Sequence, residues 1–409
     1  MSESKLFTPY KLGPVTLRNR TVRAAAFEGM CANNGPTDLL YNYHTSVAQG
    51  GIGMTTIAYA AVTRSGLSFP HQLWMRKDIV PGLKKITDSI HAAGAAASIQ
   101  LGHCGNMSKR SQAGQMPISA SYGFNLYSPT FVRRMNKDEI KDVAKAFGTA
   151  VNLAREAGFD CVEIHAGHGY LLSQFLSKFT NHRHDEYGGS LENRMRFMTM
   201  AMEYALEAAK DDMAVVAKMN MNDGFKFLGG MQTDECIEVA KRLESLGTNA
   251  LVLSGGFVSH APMHVMCGEM PIRTMAYYEK NPLMRLLIRY FGRIMVPTVP
   301  FKEAYFYDDA MKFRQALKMP LIYVGGLVSR EKIDMVLDSG FELVAMARAL
   351  INEPDFVNRM KNNNELKCGC EHANYCIGRM YSIDMACHKN ILNEVPKCLL
   401  KEIEKTKQH

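Results

Sequence analysis

The 409-residue chain has a single tryptophan, and no apolar run approaches the ~20 residues that a membrane-spanning helix needs. The N-terminal stretch MSESKLFTPYKLGP has no hydrophobic segment of the secretory kind, so no export signal is expected. There is no regular disulfide frame either. Most of the ten cysteines, such as Cys161 and Cys236, lie inside apolar segments, which suits reduced thiols and a cytoplasmic setting. No basic stretch is interleaved with aromatics, which argues against nucleic-acid binding. The formal net charge of +8 instead favours anionic substrates or cofactors. No GxGxxG follows an early strand pattern, so a doubly wound dinucleotide-binding sheet lacks its main support.

What is present is a large apolar fraction, 47%, enough for a sizeable core. The 28 methionines are read as adaptable core packing. Eight short apolar runs recur, at 19–25, 54–62, 96–103, 161–167, 215–220, 250–256, 321–326 and 343–348. Several are continuously apolar, as parallel strands buried on both faces must be. Amphipathic helical patterns separate them, such as KDEIKDVAKAFGTAVNLAREAG and TDECIEVAKRLESLG. Strand and helix alternating eight times predicts a closed (β/α)₈ barrel over residues 1–365, followed by a cysteine-containing tail, 366–409. Two connections are long, 104–138 and an insertion at 257–319. Both follow a strand, which places them on the barrel face where active sites occur. Within the insertion, LMRLLIRYFGRIM is basic and apolar. It is expected to be a lid or an oligomer contact, with a membrane-surface helix as the alternative, and no stable membrane association is expected.

The strongest chemical signal is VEIHAGHGYLLSQFLSKFTNHRHDEYGGSLENRMRF. His165 and His168 stand at a strand end, where Gly167 and Gly169 allow the chain to turn and bring both rings over the barrel mouth. Two ring N–H donors can polarise a carbonyl or nitro oxygen, and the phenol of Tyr170 can deliver a proton. A structural histidine, or a metal pair completed by Asp185 and Glu186, is the competing reading. In QLGHCG, the amide of Gln100 matches a pyrimidine-like ring edge, while His103 reads as a packed loop residue. Lys218 lies in an apolar strand, and a cation pointing into a barrel needs an anionic partner. A reduced flavin would supply one. Gly325 and Gly326 end the seventh run, Ser329 can cap the helix that follows, and Arg348 ends the eighth run. Together they form a phosphate site of the kind barrels place there.

These residues resemble the old yellow enzyme family, in its bacterial-type NADH:flavin oxidoreductase branch, over roughly residues 5–360. The run H-x-x-H-G-Y followed by D-E-Y-G-G-S-L-E-N-R carries the resemblance, with LRNRTVRAAAFEG before it and VGG…ARAL after it. The resemblance implies bound FMN, reduced by NAD(P)H and reoxidised by hydride transfer to an activated alkene. It implies flavin contacts from Gln100, from Lys218, from Tyr59 and from the backbone of Ala24, Ala25, Ala26 and Phe27. Gly325, Gly326, Ala347 and Arg348 would lie at the phosphate. His165 and His168 would hold the substrate oxygen, with Tyr170 as proton donor. Nitro reduction, oxidative demethylation and a non-catalytic FMN- or metabolite-binding barrel are the rival functions.

Three departures stand out. Ala25, Ala26 and Phe27 replace the family's usual Pro-Met-Thr or Pro-Met-Cys, which leaves the flavin potential open. Lys218 replaces a frequent arginine, keeping charge without the bidentate fork. Ala347 replaces a frequent glycine, which would tighten the backbone approach there. Longer relatives similar to 2,4-dienoyl-CoA reductases carry an Fe–S cluster on four tail cysteines and a further FAD- and NADPH-binding region. That region is not expected here. Cys368, Cys370, Cys376 and Cys387 occupy the corresponding tail, but Ala373 stands where one ligand belongs. A degenerate, metal-free tail is therefore expected, with zinc or Fe–S through Cys368 or His372 as the alternative. The expected partner is a small-molecule substrate, with a homo-oligomer left open.

Overall fold

The computed structural model describes residues 4–125 and 130–406; residues 1–3, 126–129 and 407–409, at the ends of the chain and within the long loop, lie outside the described residues. All eight strand runs form strands. They are β1 Thr21–Arg23, β2 Met54–Ala61, β3 Ala96–Gly102, β4 Cys161–His165, β5 Ala214–Asn220, β6 Ala250–Ser254, β7 Leu321–Val324 and β8 Leu343–Met346. Each pairs in parallel with the next, and β8 closes onto β1 through Val344↔Thr21 and Met346↔Arg23. The helices after them are α1 Asp38–Gln49, α2 Val80–Ala92, α3 Lys137–Glu156, α4 Leu191–Ala209, α5 Thr233–Ser245, α6 Tyr307–Ala316, α7 Arg330–Asp338 and the short α8 Arg348–Asn352. The protein is a (β/α)₈ barrel.

Local sequence sets these elements. Every residue of β2, β4, β5, β6 and β8 is buried, as strands wedged between helices and a filled interior require. Asn136 and Glu139 form a reciprocal capping box that starts α3. The Ser329 hydroxyl caps α7 by accepting from the Lys332 amide at 3.3 Å, as expected from its position.

A hairpin, Tyr10–Leu12 with Val15–Leu17, closes the N-terminal end of the barrel. Its buried Leu12 and Leu17 pack with Val22, Met54, Val216, Ala250 and Leu343 from the strands. The opposite end, at the strand C-termini, is left to the loops. The described residues of 104–138 include a short helix and a small three-stranded sheet there. The long segment 257–319 is only in part an insertion, because its last portion is α6, the barrel's own crossover helix. Before α6 it forms the helices Pro262–Val265, Ile272–Tyr278 and Pro282–Met295. The tail packs back on the barrel, with the Cys368 amide donating to Val328 O at 2.7 Å and the Met385 amide to Glu28 O at 2.7 Å.

Candidate active site

Sheet register brings the polar residues together. Gln100 of β3 pairs with Glu163 of β4, His165 of β4 with Lys218 of β5, and Asn220 of β5 with Ser254 of β6. Register partners share a face, and so do residues two apart on one strand. One row of side chains therefore faces the open end of the barrel.

At its base, Lys218 Nζ lies 2.9 Å from Glu163 Oε1, and both side chains are 3% exposed. The Gln100 amide donates to the same carboxylate oxygen at 2.6 Å, and Lys218 also donates to Ala25 O at 3.2 Å. This corrects the expectation that a ligand alone supplies the anion for Lys218. The chain supplies it, because a bare ammonium in this interior would be too costly. Glu163 was missed in the sequence. Its signal was there, since it stands two residues before His165 in an otherwise apolar strand.

The turn after β4 is also built differently from expectation. Left-handed backbone falls on His168 (φ 59°) and Gly169 (φ 77°), not on Gly167. Gly167 is needed for space, because a Cβ there would sit 2.8 Å from Asn220 Oδ1. That oxygen accepts the His168 backbone N–H at 2.8 Å, and Asn220 is itself fixed by donating to Asp223 at 2.8 Å. His168 Nε2 lies 2.7 Å from Ser254 Oγ. The His165 and His168 rings meet edge to face at 5.0 Å, and Tyr170 packs on His165 at 4.7 Å. Burial, His168 and Lys218 hold the His165 pKa well below the usual range. Burial and then Lys218 push His168 down to about 3. Burial drives the Tyr170 phenol well upward. At neutral pH the site thus presents two neutral imidazoles and a protonated phenol.

The metal alternative for this pair finds no support in the geometry. Asp185 is held by Arg183 at 2.7 Å and Arg134 at 2.8 Å, and Glu186 by Lys137 at 2.8 Å. Among the described residues, no group of three or more His, Cys, Asp or Glu is placed to hold a metal. In the tail, burial raises the Cys368 and Cys376 thiols to about 12. Cys387 donates to Asn352 Oδ1 at 3.2 Å. His372, considered above as a metal ligand, stacks flat on Phe301 with ring centroids 3.3 Å apart. His103 is a structural loop residue as expected, hydrogen-bonded to Ser65 at 3.0 Å and to the Gly105 amide at 3.0 Å.

At the other end of the cavity lie Gly325 (φ 139°), Gly326 (φ 71°), Ala347 and Arg348. A Cβ on Gly325 would come within 2.8 Å of Phe306, and one on Gly326 within 2.7 Å of Tyr305. Ala347 has φ −112°, so its backbone does not itself require glycine. Arg348 Nη1 donates to Cys267 O at 2.6 Å and to Asn374 Oδ1 at 2.7 Å. Insertion and tail thereby both aim the guanidinium. Ala24–Phe27 form the wall between, braced by a buried pair that sequence reasoning missed. Arg23 Nη1 lies 2.5 Å from Glu28 Oε1, and Glu28 also accepts the Ala58 amide at 3.1 Å. Tyr59 lies beside Tyr170 at 5.2 Å and meets Cys104 Sγ at 2.9 Å. Phe301 and Tyr305 from the insertion, with His372, Met380 and Tyr381 from the tail, complete one cavity that includes every residue the resemblance implied for flavin, phosphate or substrate.

A parallel barrel whose strand ends carry this set is an oxidoreductase-type α/β-barrel enzyme. The chain belongs to the NADH:flavin oxidoreductase / NADH oxidase family, whose model matches residues 5–285. It is 38% identical over 378 residues to the 4,4'-dithiodibutanoate disulfide reductase of Rhodococcus erythropolis, covering 92% of this chain and 93% of that protein. Its fold superposes on 2-naphthoyl-CoA reductase with a TM-score of 0.78 at 22% identity, covering 94% of this chain but only 56% of that one. It also superposes on an old yellow enzyme homologue from Zymomonas mobilis with a TM-score of 0.70 at 24% identity, covering 92% and 99%. The protein is thus an NAD(P)H-dependent flavin oxidoreductase that uses FMN.

Proposed function

We propose that this enzyme passes hydride from NAD(P)H, by way of FMN, to an activated alkene, an enone or enoate, whose oxygen is held by His165 and His168. The donor set fits the cofactor. Gln100 offers an amide to the ring edge, and Lys218 offers an ammonium already oriented by Glu163. Gly325 and Gly326 leave backbone bare where a Cβ has no room, next to Arg348. FMN, when bound, supplies reversible two-electron hydride storage. The chain's own groups do the rest. The two neutral imidazoles would donate N–H bonds to the substrate oxygen and stabilise the enolate charge that develops there as hydride reaches the β-carbon, and Tyr170 would give its proton to the α-carbon. Phe27, Phe69 and Tyr381 shield the site from water. We keep residues 1–365 as the catalytic barrel, with 366–409 as the tail that finishes its cavity.

The observation that carries this reading is the neutral His165–His168–Tyr170 group in the same cavity as Gln100 and Lys218. The disulfide-reducing activity in the name of the 38%-identical relative favours a second reading, in which the same donors stabilise a departing thiolate. The test is stopped-flow reoxidation of the NAD(P)H-reduced enzyme by enones, nitro compounds and disulfides. A His165→Ala/His168→Ala variant should lose on the order of 10²–10³ in enone reduction while its flavin is still reduced by NAD(P)H. Undiminished enone turnover in that variant would sink the assignment.

A further inference from the structure

Among the described residues, no side chain of the helix Pro282–Met295 lines the cavity. Met284, Ile288 and Gly292, spaced four apart, form its inward seam, and Gly292 lets the helix close on Ile272. Leu287 and Phe291 border that seam, and with Leu283, Leu286, Tyr290 and Ile294 beyond them they form a continuous apolar stripe, each between 41% and 80% exposed. Isolated exposed apolar residues need no explanation, but six on one face mark a contact surface.

A second stripe runs beside the first. Arg285, Arg289 and Arg293 recur at intervals of four, and between Glu279 and Glu303 the sequence has no acidic residue. Arg285 donates to the Glu279 carbonyl oxygen at 2.7 Å, and Arg293 reaches only to 3.9 Å from Glu269. Arg289 has no partner among the described residues. The helix thus has three sectors: a seam of contact, an arginine edge and a bare apolar face.

We infer that this helix lies along an anionic phospholipid surface. The apolar stripe enters the boundary between headgroups and acyl chains, and the arginine edge meets lipid phosphates. Charge selects this occupant over a second copy of the chain. Two such helices meeting face to face would bring six arginines together with no acid on either helix to neutralise them. The same insertion supplies Met266, Phe301 and Tyr305 to the cavity, so docking ties a wall of the active site to the bilayer.

The test is co-sedimentation of the purified flavoprotein with vesicles of phosphatidylcholine alone, or of phosphatidylcholine and phosphatidylglycerol in equal parts. Sedimentation velocity is run in parallel without lipid. Binding to the anionic vesicles should exceed binding to the neutral ones by on the order of tenfold or more, and should weaken with salt. Leu286→Asp/Tyr290→Asp should abolish it, and Arg285→Gln/Arg289→Gln/Arg293→Gln should erase the preference for anionic lipid. Both variants should keep flavin content and NAD(P)H oxidation. Absence of vesicle binding, or binding indifferent to these substitutions, overturns the inference. So does a dimer that Leu286→Asp/Tyr290→Asp dissociates while neither form binds vesicles.

Discussion

Glu163 and Lys218 form a buried ion pair, 2.9 Å between charged atoms, on neighbouring strands of the barrel floor. Gln100 donates to the same carboxylate, so one acid orients two of the groups assigned to the flavin ring. Breaking a buried pair by removing one partner costs about 3–5 kcal/mol, because the survivor is left desolvated. Glu163→Gln should therefore destabilise the flavin-free protein by about that much and release FMN. Glu163→Gln/Lys218→Met should recover part of the stability without recovering flavin. Denaturant unfolding and flavin fluorescence measure the two effects separately. Wild-type unfolding of Glu163→Gln would show that the pair is not the floor's organiser.

Stability should also fall with acid in a specific window. Burial lowers His103 and His168 from the ordinary 6.5 to about 3, and holds His165 well below 6.5. Above pH 6.5 these rings are neutral in both folded and unfolded chains. Below it the unfolded chain takes up protons that the folded chain refuses, so stability declines as pH drops toward about 3. Each such ring contributes a slope of about 1.4 kcal/mol per pH unit. Unfolding midpoints measured from about pH 8 to about pH 5 should fall steadily below the histidine range, and His168→Asn should flatten the decline. A pH-independent midpoint would contradict neutral imidazoles in the site.

Gly326→Ala should separate cofactor binding from general strain. Its φ of 71° disfavours a side chain, and the new Cβ would lie 2.7 Å from the Tyr305 ring, on the cavity wall. The expected cost is about 1–3 kcal/mol in stability, with at least roughly tenfold weaker FMN binding. Gly340→Ala is the control. Its φ is 96°, but its Cβ would meet only Arg314 at 3.6 Å, so it should cost stability and leave FMN affinity unchanged. Equal FMN affinity in the two variants would remove the cofactor role from Gly326.

The eight strands were legible in the sequence because parallel strands buried on both faces must be apolar throughout, and helices between them must be amphipathic. Gln100, Lys218 and His165 were legible because each breaks that apolar rule within its strand, and His168 because it follows His165 by three residues in the turn. Glu163 broke it too, yet Lys218 had already been given a flavin as its partner. Asn220 and Ser254 escaped notice because small polar residues near strand ends are common. Their roles, aiming His168 by 2.8 and 2.7 Å contacts, appear only once the register is known. Phe301, His372 and Tyr381 come from segments without periodicity, so nothing in the sequence tied them to the barrel mouth. The short C-terminal cysteine pattern drew attention to possible ligands, whereas the structure uses His372 as a stacking surface for Phe301.

The walls of the cavity are drawn from Ala24 near one end of the chain to Tyr381 near the other. The barrel itself closes only when β8 reaches β1. During synthesis, an emerging chain can form its early strand–helix units, but it has no cavity until nearly all of it has left the ribosome. Cofactor capture is therefore a late event, after translation of the tail. A nascent chain stalled before Tyr381 would have a barrel's worth of strands and still lack one side of its binding site.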